Sequence, residues 1–515
     1  MLTLEASAQG YILGGELSNS AATSVADIDE VMPRMQKIGL NTVLVPAYWE
    51  LMEPEEGQFD FTLTDRVVEK ARECQLKVVF LWFGAWKNSM SCYAPAWFKQ
   101  DVKRFPRAMT SSGKPLEIAT CFSSQVLEAD KKAFCAFIRH LKDINSREQT
   151  VAMVQVENEI GMLEDARDHS PLAEQAYRQA VPQSFMKAMG LKRKGTWQDV
   201  LGSGPYADEQ FQAWHYAQYV QEMAAAAHQI YDIPLYVNAA MNSRDRKPGE
   251  YPSAGPLAHL AKIWKAAAPD IAMLSPDIYD TGFKSWASQY AMPDNRLFIP
   301  ETRCCENAGV RALYAFGEHR ALGFSPFAID QASPAETNEV SRAYKLLRQI
   351  GHITADARQS WGLLFDQEDR ERQITTDGLV LTCRHYLTLP WDARATDGSV
   401  WREGGGIILR LSPEEFIVAG SGIVVEFRTA QEQQQTVSRQ LGEDGFAASG
   451  KQATASSKHW EGRRCGLLSV DEVSIEDDGR LTYIRRDNGD QSHQGRHVRI
   501  SVDDYRIMHV KLYKY

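Results

Sequence analysis

Short apolar runs alternate with helical stripes through the first two-thirds of the chain. Residues 42–45 are apolar and largely β-branched. The stretch before them sets Ile28, Val31, Met32, Met35 and Ile38 on one helical face. After them, Leu63, Val67, Ala71 and Cys74 form a second stripe, opened by Thr62-x-x-Asp65 in the manner of a capping box. Residues 77–82 read as a buried strand, and 127–141 as a helix with Phe134, Phe137, Ile138 and Leu141 on its apolar side. Further strands are expected at 11–13, 151–156, 235–237, 271–274, 297–299 and 324–329. Eight strands, most followed by a helical segment, predict a (β/α)8 TIM barrel. The largest insertion, around 162–232, carries a long helical pattern at 211–231 and is expected to roof or flank the barrel mouth. A helix at 340–350 is expected to close the barrel.

Beyond about residue 355 the pattern changes. Stretches 407–411, 416–418, 423–428, 498–502 and 508–512 are β-rich, with Gly and Asp-Gly turns between them. The chain therefore divides into a barrel over 1–355 and an all-β, sandwich-like C-terminal domain over 356–515. A length of 515 residues agrees with more than one core.

Composition narrows the partners. The formal net charge of -10 repels nucleic acid and suits a neutral small substrate. Twelve tryptophans and 19 tyrosines supply ring faces of the kind that pack on sugars, although most such residues are core. The start, MLTLEASAQG, lacks the basic and apolar regions of a signal peptide, and no apolar run is long enough to span a membrane. The eight cysteines show no CxxC pair and read as reduced thiols, so a cytoplasmic location is expected. Gly445-Phe-Ala-Ala-Ser-Gly450-Lys451 imitates a P-loop but ends in Gln452, where Ser or Thr would hold magnesium, and is read as a plain loop. Neither HExxH nor GxSxG occurs, and the histidines lack ligand spacing. No metal and no cofactor is expected.

Catalytic groups of a TIM barrel sit where strands end at its C-terminal face. The fourth strand runs into Glu157-Asn158-Glu159-Ile160-Gly161, and the seventh ends Phe298-Ile299-Pro300-Glu301. Two carboxyls converging across the mouth suit glycoside cleavage, one attacking the anomeric carbon and the other protonating the leaving oxygen. Strand alternation gives Glu157 and Glu159 the same orientation, and a turn after the strand breaks that parity, so spacing does not choose between them.

Val156-Glu157-Asn158-Glu159-Ile160-Gly161 resembles the strand-4 motif of glycoside hydrolase family 35, the β-galactosidases. Gly14-Gly15-Glu16-Leu17, Tyr48-Trp49-x-x-Met-Glu53-Pro54, Pro95-Ala96-Trp97 and Phe298-Ile299-Pro300-Glu301 are also similar. The resemblance implies Glu159 as acid/base, Glu301 as nucleophile and Asn158 as a ligand of the sugar 2-hydroxyl. It places Tyr48 at strand 2 as a sugar ligand and Tyr279, after strand 6, as a hydrogen-bond partner of the nucleophile. Trp86 is a candidate sugar platform, with Lys87, Asn88 and Glu16 as contacts to hydroxyls and Arg303 as a cation beside Glu301. Two departures stand out. The segment Trp82–Asn88 lacks the family's glutamate, and Ser18 stands where the family has histidine; in this the chain resembles a divergent branch or family 42.

The expected function is a retaining exo-β-glycoside hydrolase, a β-galactosidase working by double displacement on an oligosaccharide. The alternatives are a β-glucoside-active hydrolase or transglycosylase of the same family, and a non-catalytic carbohydrate-binding protein. Oligosaccharide is the expected partner, nucleic acid and membrane are not, and assembly into a homo-oligomer is left open.

Overall fold

The computed structural model describes residues 10–354, 357–435 and 460–515. The N-terminal stretch 1–9, read above for a signal peptide, and the P-loop-like 445–451 lie outside the described residues. By contacts the chain forms two compact units. The first holds Ile12–Cys304 and Gly323–Ala332; the second holds Cys305–Leu322 and Ser333–Tyr515.

The first unit is built on eight parallel strands: β1 (Ile12–Glu16), β2 (Thr42–Tyr48), β3 (Lys77–Phe83), β4 (Val151–Gln155), β5 (Leu235–Ala239), β6 (Met273–Ile278), β7 (Phe298–Thr302) and β8 (Gly323–Pro326). They pair in chain order, and β8 returns to β1, closing the barrel. Each expected strand is present. The apolar runs are near-continuous because parallel barrel strands are covered on both faces, by the barrel filling within and by helices outside. Every residue of β2 and β5 is buried. Gly14 serves the filling, since a Cβ there would stand 2.2 Å from Ser325 Oγ.

Around the strands, α1 (Val25–Ile38) starts on Ser24, whose side chain accepts from Asp27 N–H, and stops at Gly39 with φ 93°. Helix α2 (Thr62–Glu73) departs from the expected capping box. Thr62 is already its first helical residue, and Asp60 Oδ1 accepts the Thr62 N–H at 2.8 Å instead. Helix α3 (Ser124–Asn145) buries Phe134, Phe137, Ile138 and Leu141 as its stripe predicts. The insertion folds into three short helices and α4 (Pro205–His228), which is buried on several sides along Phe211, Trp214, Tyr216, Tyr219 and Met223. It flanks the barrel beside β3, where Tyr216 and Tyr219 pack edge-on against Trp86.

The second unit begins with α7 and α8 once the two short helices α5 (Ala261–Ala267) and α6 (Phe283–Tyr290) of the first are counted. Helices α7 (Ala308–His319) and α8 (Pro334–Gly351) follow barrel strands in sequence yet group with the β-rich unit. The expectation that the 340–350 helix belongs with the barrel is corrected accordingly. Polar anchors explain it: Glu318 accepts from Gly362 N–H at 3.0 Å and pairs with Arg372, and Arg311 pairs with Glu403 through two 2.7 Å bonds.

The rest of this unit comprises β9 (Gln359–Phe365), β10 (Glu371–Thr376), β11 (Leu379–His385), β12 (Gly404–Ser412), β13 (Glu415–Ser421), β14 (Ile423–Thr429), β15 (Cys465–Ile475), β16 (Leu481–Arg486), β17 (Val498–Ile500) and β18 (Arg506–Lys514). One antiparallel sheet has the order β9-β12-β13-β18-β15-β16, and the other β10-β11-β14-β17. Leu363, Ile408, Val418, Met508 and Val510 of the first share one core with Leu381, Cys383, Ile423, Val425 and Val498 of the second. This is the sandwich the β-rich pattern predicts.

Candidate active site

Every candidate carboxylate of the pattern comes from the first unit, at the C-terminal ends of its strands. Asp277 and Glu301 are directly paired residues of β6 and β7, so their side chains rise from the same level on the same side. Glu159 stands in the turn after β4. One carboxylate oxygen from each of Glu159, Asp277 and Glu301 lies within 4.8 Å of the others, and all three residues are buried. That separation fits the short spacing of a retaining pair, not the roughly 6.5–9.5 Å that leaves room for an attacking water.

The turn after β4 separates the two glutamates that strand parity leaves together. Glu157 and Glu159 both adopt left-handed backbone, at φ 58° and 48°, as do Asn88 and Ser89 in the facing loop after β3. Non-glycine residues hold such conformations only where neighbours enforce them. Here each loop grips the other: Asn158 N–H donates to Trp86 O and Asn88 N–H to Asn158 O, both at 3.2 Å. The two glutamates are thereby sent to different places. Glu157 is fully buried, accepts from Trp86 N–H at 2.7 Å and lies beside Asp130. Asp130 in turn accepts from Trp82 Nε1 and the Tyr219 hydroxyl. Burial, then the charge of Asp130, pushes the Glu157 carboxyl well above the usual range, so this pair keeps a proton as part of the fold. Glu159 instead joins the mouth cluster.

Glu159 is held from three sides. Its N–H donates to Asn238 Oδ1 at 2.9 Å, and its Oε2 accepts from Asn88 Nδ2 at 2.5 Å. Its carboxyl also meets that of Asp277. Burial first, and then the Glu301 charge, raises it to about 7 against the opposing pull of Lys87 and Asp277. A group so poised can hold a proton near neutrality and release it. Glu301 accepts from the Tyr279 hydroxyl at 2.7 Å, while its Oε1 is buried with no N–H or O–H donor among the described residues.

Lys87 supplies the positive charge. It is 4% exposed, donates to Asn158 Oδ1 at 2.9 Å and stands over the Phe83 ring at 5.0 Å. Burial would lower its pKa, but Glu301, Glu159, Glu16 and Asp277 together raise it, so it stays an ammonium. With Asn158 Oδ1 occupied, the Asn158 Nδ2 hydrogens are buried with no acceptor among the described residues. Glu16 is 1% exposed, with neither oxygen bonded to an N–H or O–H donor among the described residues. Burial and then Glu301 raise its pKa well above the usual range. By spacing, the Glu159–Asp277–Glu301 group is the one set among the described residues that would suit a divalent cation. The buried ammonium of Lys87 and the protons of the raised carboxyls already answer its charge.

Two expected sugar contacts are placed elsewhere. Trp86 is fully buried, edge-on to Tyr216 and Tyr219, and offers no ring face as a platform. Tyr48 is 2% exposed, packs on Phe83 and Tyr93, and its hydroxyl accepts from Ala22 N–H. The neighbouring motif is likewise structural: Glu53 accepts from Trp49 Nε1 at 2.8 Å and Gly57 N–H at 2.7 Å, and its carbonyl accepts from Trp97 Nε1. Arg303 is exposed, and among the described residues no ion pair joins it to Glu301. Asn88 and Tyr279 are exposed at the rim. Sequence reading missed Asn238 and Asp277 as members of the cluster. Their signal was available: each is a polar residue one position before the end of a mostly apolar barrel strand.

No candidate membrane-crossing helix, long and apolar enough, occurs among the described residues, and no disulfide joins any of the eight cysteines.

A family model described as β-galactosidase, glycoside hydrolase family 42, matches residues 21–224. A domain of unknown function (DUF5597) matches 340–499. Among curated proteins no relative matches. Among solved structures, the β-galactosidase of the Antarctic haloarchaeon Halorubrum lacusprofundi is similar at 15% identity and TM-score 0.48, over 65% of this chain and 58% of that one. The β-galactosidase of the psychrophilic Marinomonas ef1 is similar at 14% identity and TM-score 0.46, over 64% and 59%. The catalytic domain of a Paenibacillus polymyxa β-amylase is similar at 13% identity and TM-score 0.46, over 64% and 95%. The chain thus spans less than two-thirds of the length of either β-galactosidase. The family matched is 42, the second of the two that the motifs resemble; its match contains Glu159 and ends before Glu301.

Proposed function

We propose that the barrel is a retaining exo-β-glycosidase of family 42 type, acting on β-galactosides at the non-reducing ends of oligosaccharides. The observation that carries this reading is the pairing of Glu159 and Glu301, with oxygens within 4.8 Å and the Glu159 carboxyl raised to about 7 by burial and the charge of Glu301. Two ionised carboxylates about 5 Å apart repel by roughly 3 kcal/mol at an effective dielectric of about 20. One proton is therefore kept between them.

In the first step Glu301 attacks the anomeric carbon while Glu159 gives its proton to the departing glycosidic oxygen. Tyr279 orients the attacking carboxylate. The free Nδ2 hydrogens of Asn158, whose amide Lys87 holds in place, are suited to a sugar hydroxyl beside the reacting carbon. Once Glu301 is esterified its charge is gone, and with it the second-largest cause of the raised Glu159 pKa. Glu159 then ionises readily and takes a proton from the water that releases the sugar. The galactoside preference is supported by the description of the matched family. A cytoplasmic location is supported by eight cysteines that form no disulfide.

A panel of aryl glycosides tests the reading, with product anomers followed by proton NMR. The β-galactoside should turn over fastest and release the β-anomer first. Glu301→Gly should be inactive alone and, with azide, form the α-glycosyl azide. First release of the α-anomer, or rescue at a different glutamate, would overturn the assignment.

A further inference from the structure

The geometry points to Asp277 as a neutral, proton-holding positioning residue: its carboxylic acid accepts from Asn238 through one oxygen and donates to Glu159 through the other. This rests on the reading of Glu159 as acid/base and deepens it.

The two oxygens of Asp277 have distinct surroundings. Oδ2 accepts from Asn238 Nδ2 at 2.7 Å, and Asn238 Oδ1 accepts the Glu159 N–H at 2.9 Å. Asn238 thus ties the Asp277 carboxyl to the Glu159 backbone. Oδ1 is buried and has no N–H or O–H donor among the described residues. The groups nearest the Asp277 carboxyl are those of Glu159 and Glu301, with one oxygen of each within 4.8 Å and Glu301 directly across the strand pair. Two carboxyls brought together this closely in a buried site are held by a proton between them, because two carboxylate ions repel and neither can donate. Asp277 is the deeper, 1% exposed against 5% for Glu159. The other charged and titratable groups around the pair are Glu16 on β1, Lys87 after β3, Tyr236 on β5, Tyr279 after β6, Glu301 on β7 and Tyr290 on α6. Lys87 is the sole cation among them, and Asn158, not Asp277, receives its hydrogen bond. Burial, then Glu301 and Glu159, all favour the neutral form of Asp277.

The arrangement has a use. Burial and Glu301 would together carry the Glu159 pKa high enough to make it a poor acid. An O–H donated by Asp277 stabilises the ionised form and checks that rise. Asp277 keeps its own proton through both steps and neither attacks nor protonates the sugar.

A neutral acid with one accepting and one donating atom has the shape of an amide, so Asp277→Asn is the decisive variant. It should keep kcat/KM within about threefold of wild type and leave the basic limb of the pH profile in place. Asp277→Ala, where it folds, should move that limb upward by about one pH unit through loss of one charge-assisted hydrogen bond. If Asp277 were ionised, either change would remove a negative charge and move the limb downward; a downward shift in Asp277→Asn overturns the inference. A second readout needs no turnover. The infrared difference spectrum of wild type against Asp277→Asn should show the carbonyl stretch of one protonated carboxyl beyond those of Glu157 and Glu16, and absence of that difference band also overturns the inference. Azide rescue of Glu301→Gly reports separately on the acid/base reading, so the two can fail independently.

Discussion

The Tyr279 hydroxyl donates a 2.7 Å hydrogen bond to Oε2 of Glu301. Tyr279 leaves β6 two residues after Asp277, so one short segment serves both carboxylates of the proposed pair. The bond steadies the carboxylate that must attack along one direction. Tyr279→Phe removes it without changing the ring's contact with Phe327. A hydrogen bond to a charged group contributes about 1.5–3 kcal/mol, so kcat/KM for an aryl β-galactoside should fall about 10- to 100-fold. Steady-state kinetics checks this; a fall below twofold would leave Tyr279 a packing residue.

Glu157 and Glu159 should respond differently to the same substitution. Glu157→Gln still accepts from Trp86 N–H and can donate to Asp130, so activity should stay within about threefold. Glu159→Gln removes the transferable proton and should cost about 10²- to 10⁴-fold on substrates with poor leaving groups. The loss should be far smaller with a dinitrophenyl leaving group, which departs without protonation. Comparing leaving groups in both variants checks the assignment. Equal losses would return the choice between the two glutamates to an open one.

Acidity gives a signed expectation. With Glu159 raised to about 7, kcat/KM should decline through a basic limb near pH 7. The same shift bears on stability. The folded carboxyl binds its proton more tightly than the unfolded one, so its contribution is complete below the ordinary carboxylate range and is lost as pH rises toward about 7. Glu159→Gln removes that loss. The variant's melting temperature should therefore exceed wild type by more at pH 8 than at pH 5, as calorimetry at the two pH values would show.

Lys87 acts in the opposite sense to Glu301. Its charge lowers the Glu159 pKa, and its Nζ fixes the Asn158 amide. Lys87→Met should move the basic limb upward by about one pH unit and raise KM as Asn158 loses its anchor. A pH–rate series measures both; an unmoved limb would mean that Lys87 serves only the fold.

Much of the architecture could be read in advance. Barrel strands are apolar on both faces, so their runs stand out, and all eight appear within a few residues of their expected positions. The second unit was read less fully: β9, β10, β11, β15 and β16 were not anticipated. A strand such as β16, with four of its six residues exposed, carries little apolar signal and is held by pairing with β15. Motif likeness also left the burial of Tyr48 and Trp86 unread, because a ring in a sequence does not say which of its faces is covered.

The chain by itself determined where the carboxylates would stand. Apolar strands must be buried, and a polar residue at a strand's end must leave the barrel at its mouth, which placed Glu159 and Glu301. Only the tertiary structure decided which of Glu157 and Glu159 turns inward. The left-handed turn after β4 exists because the loop after β3 grips it through backbone hydrogen bonds. The structure alone also brought Asp277 level with Glu301 and Asn238 under Glu159. Those contacts depend on register between neighbouring strands, a relation between distant segments that no local pattern encodes.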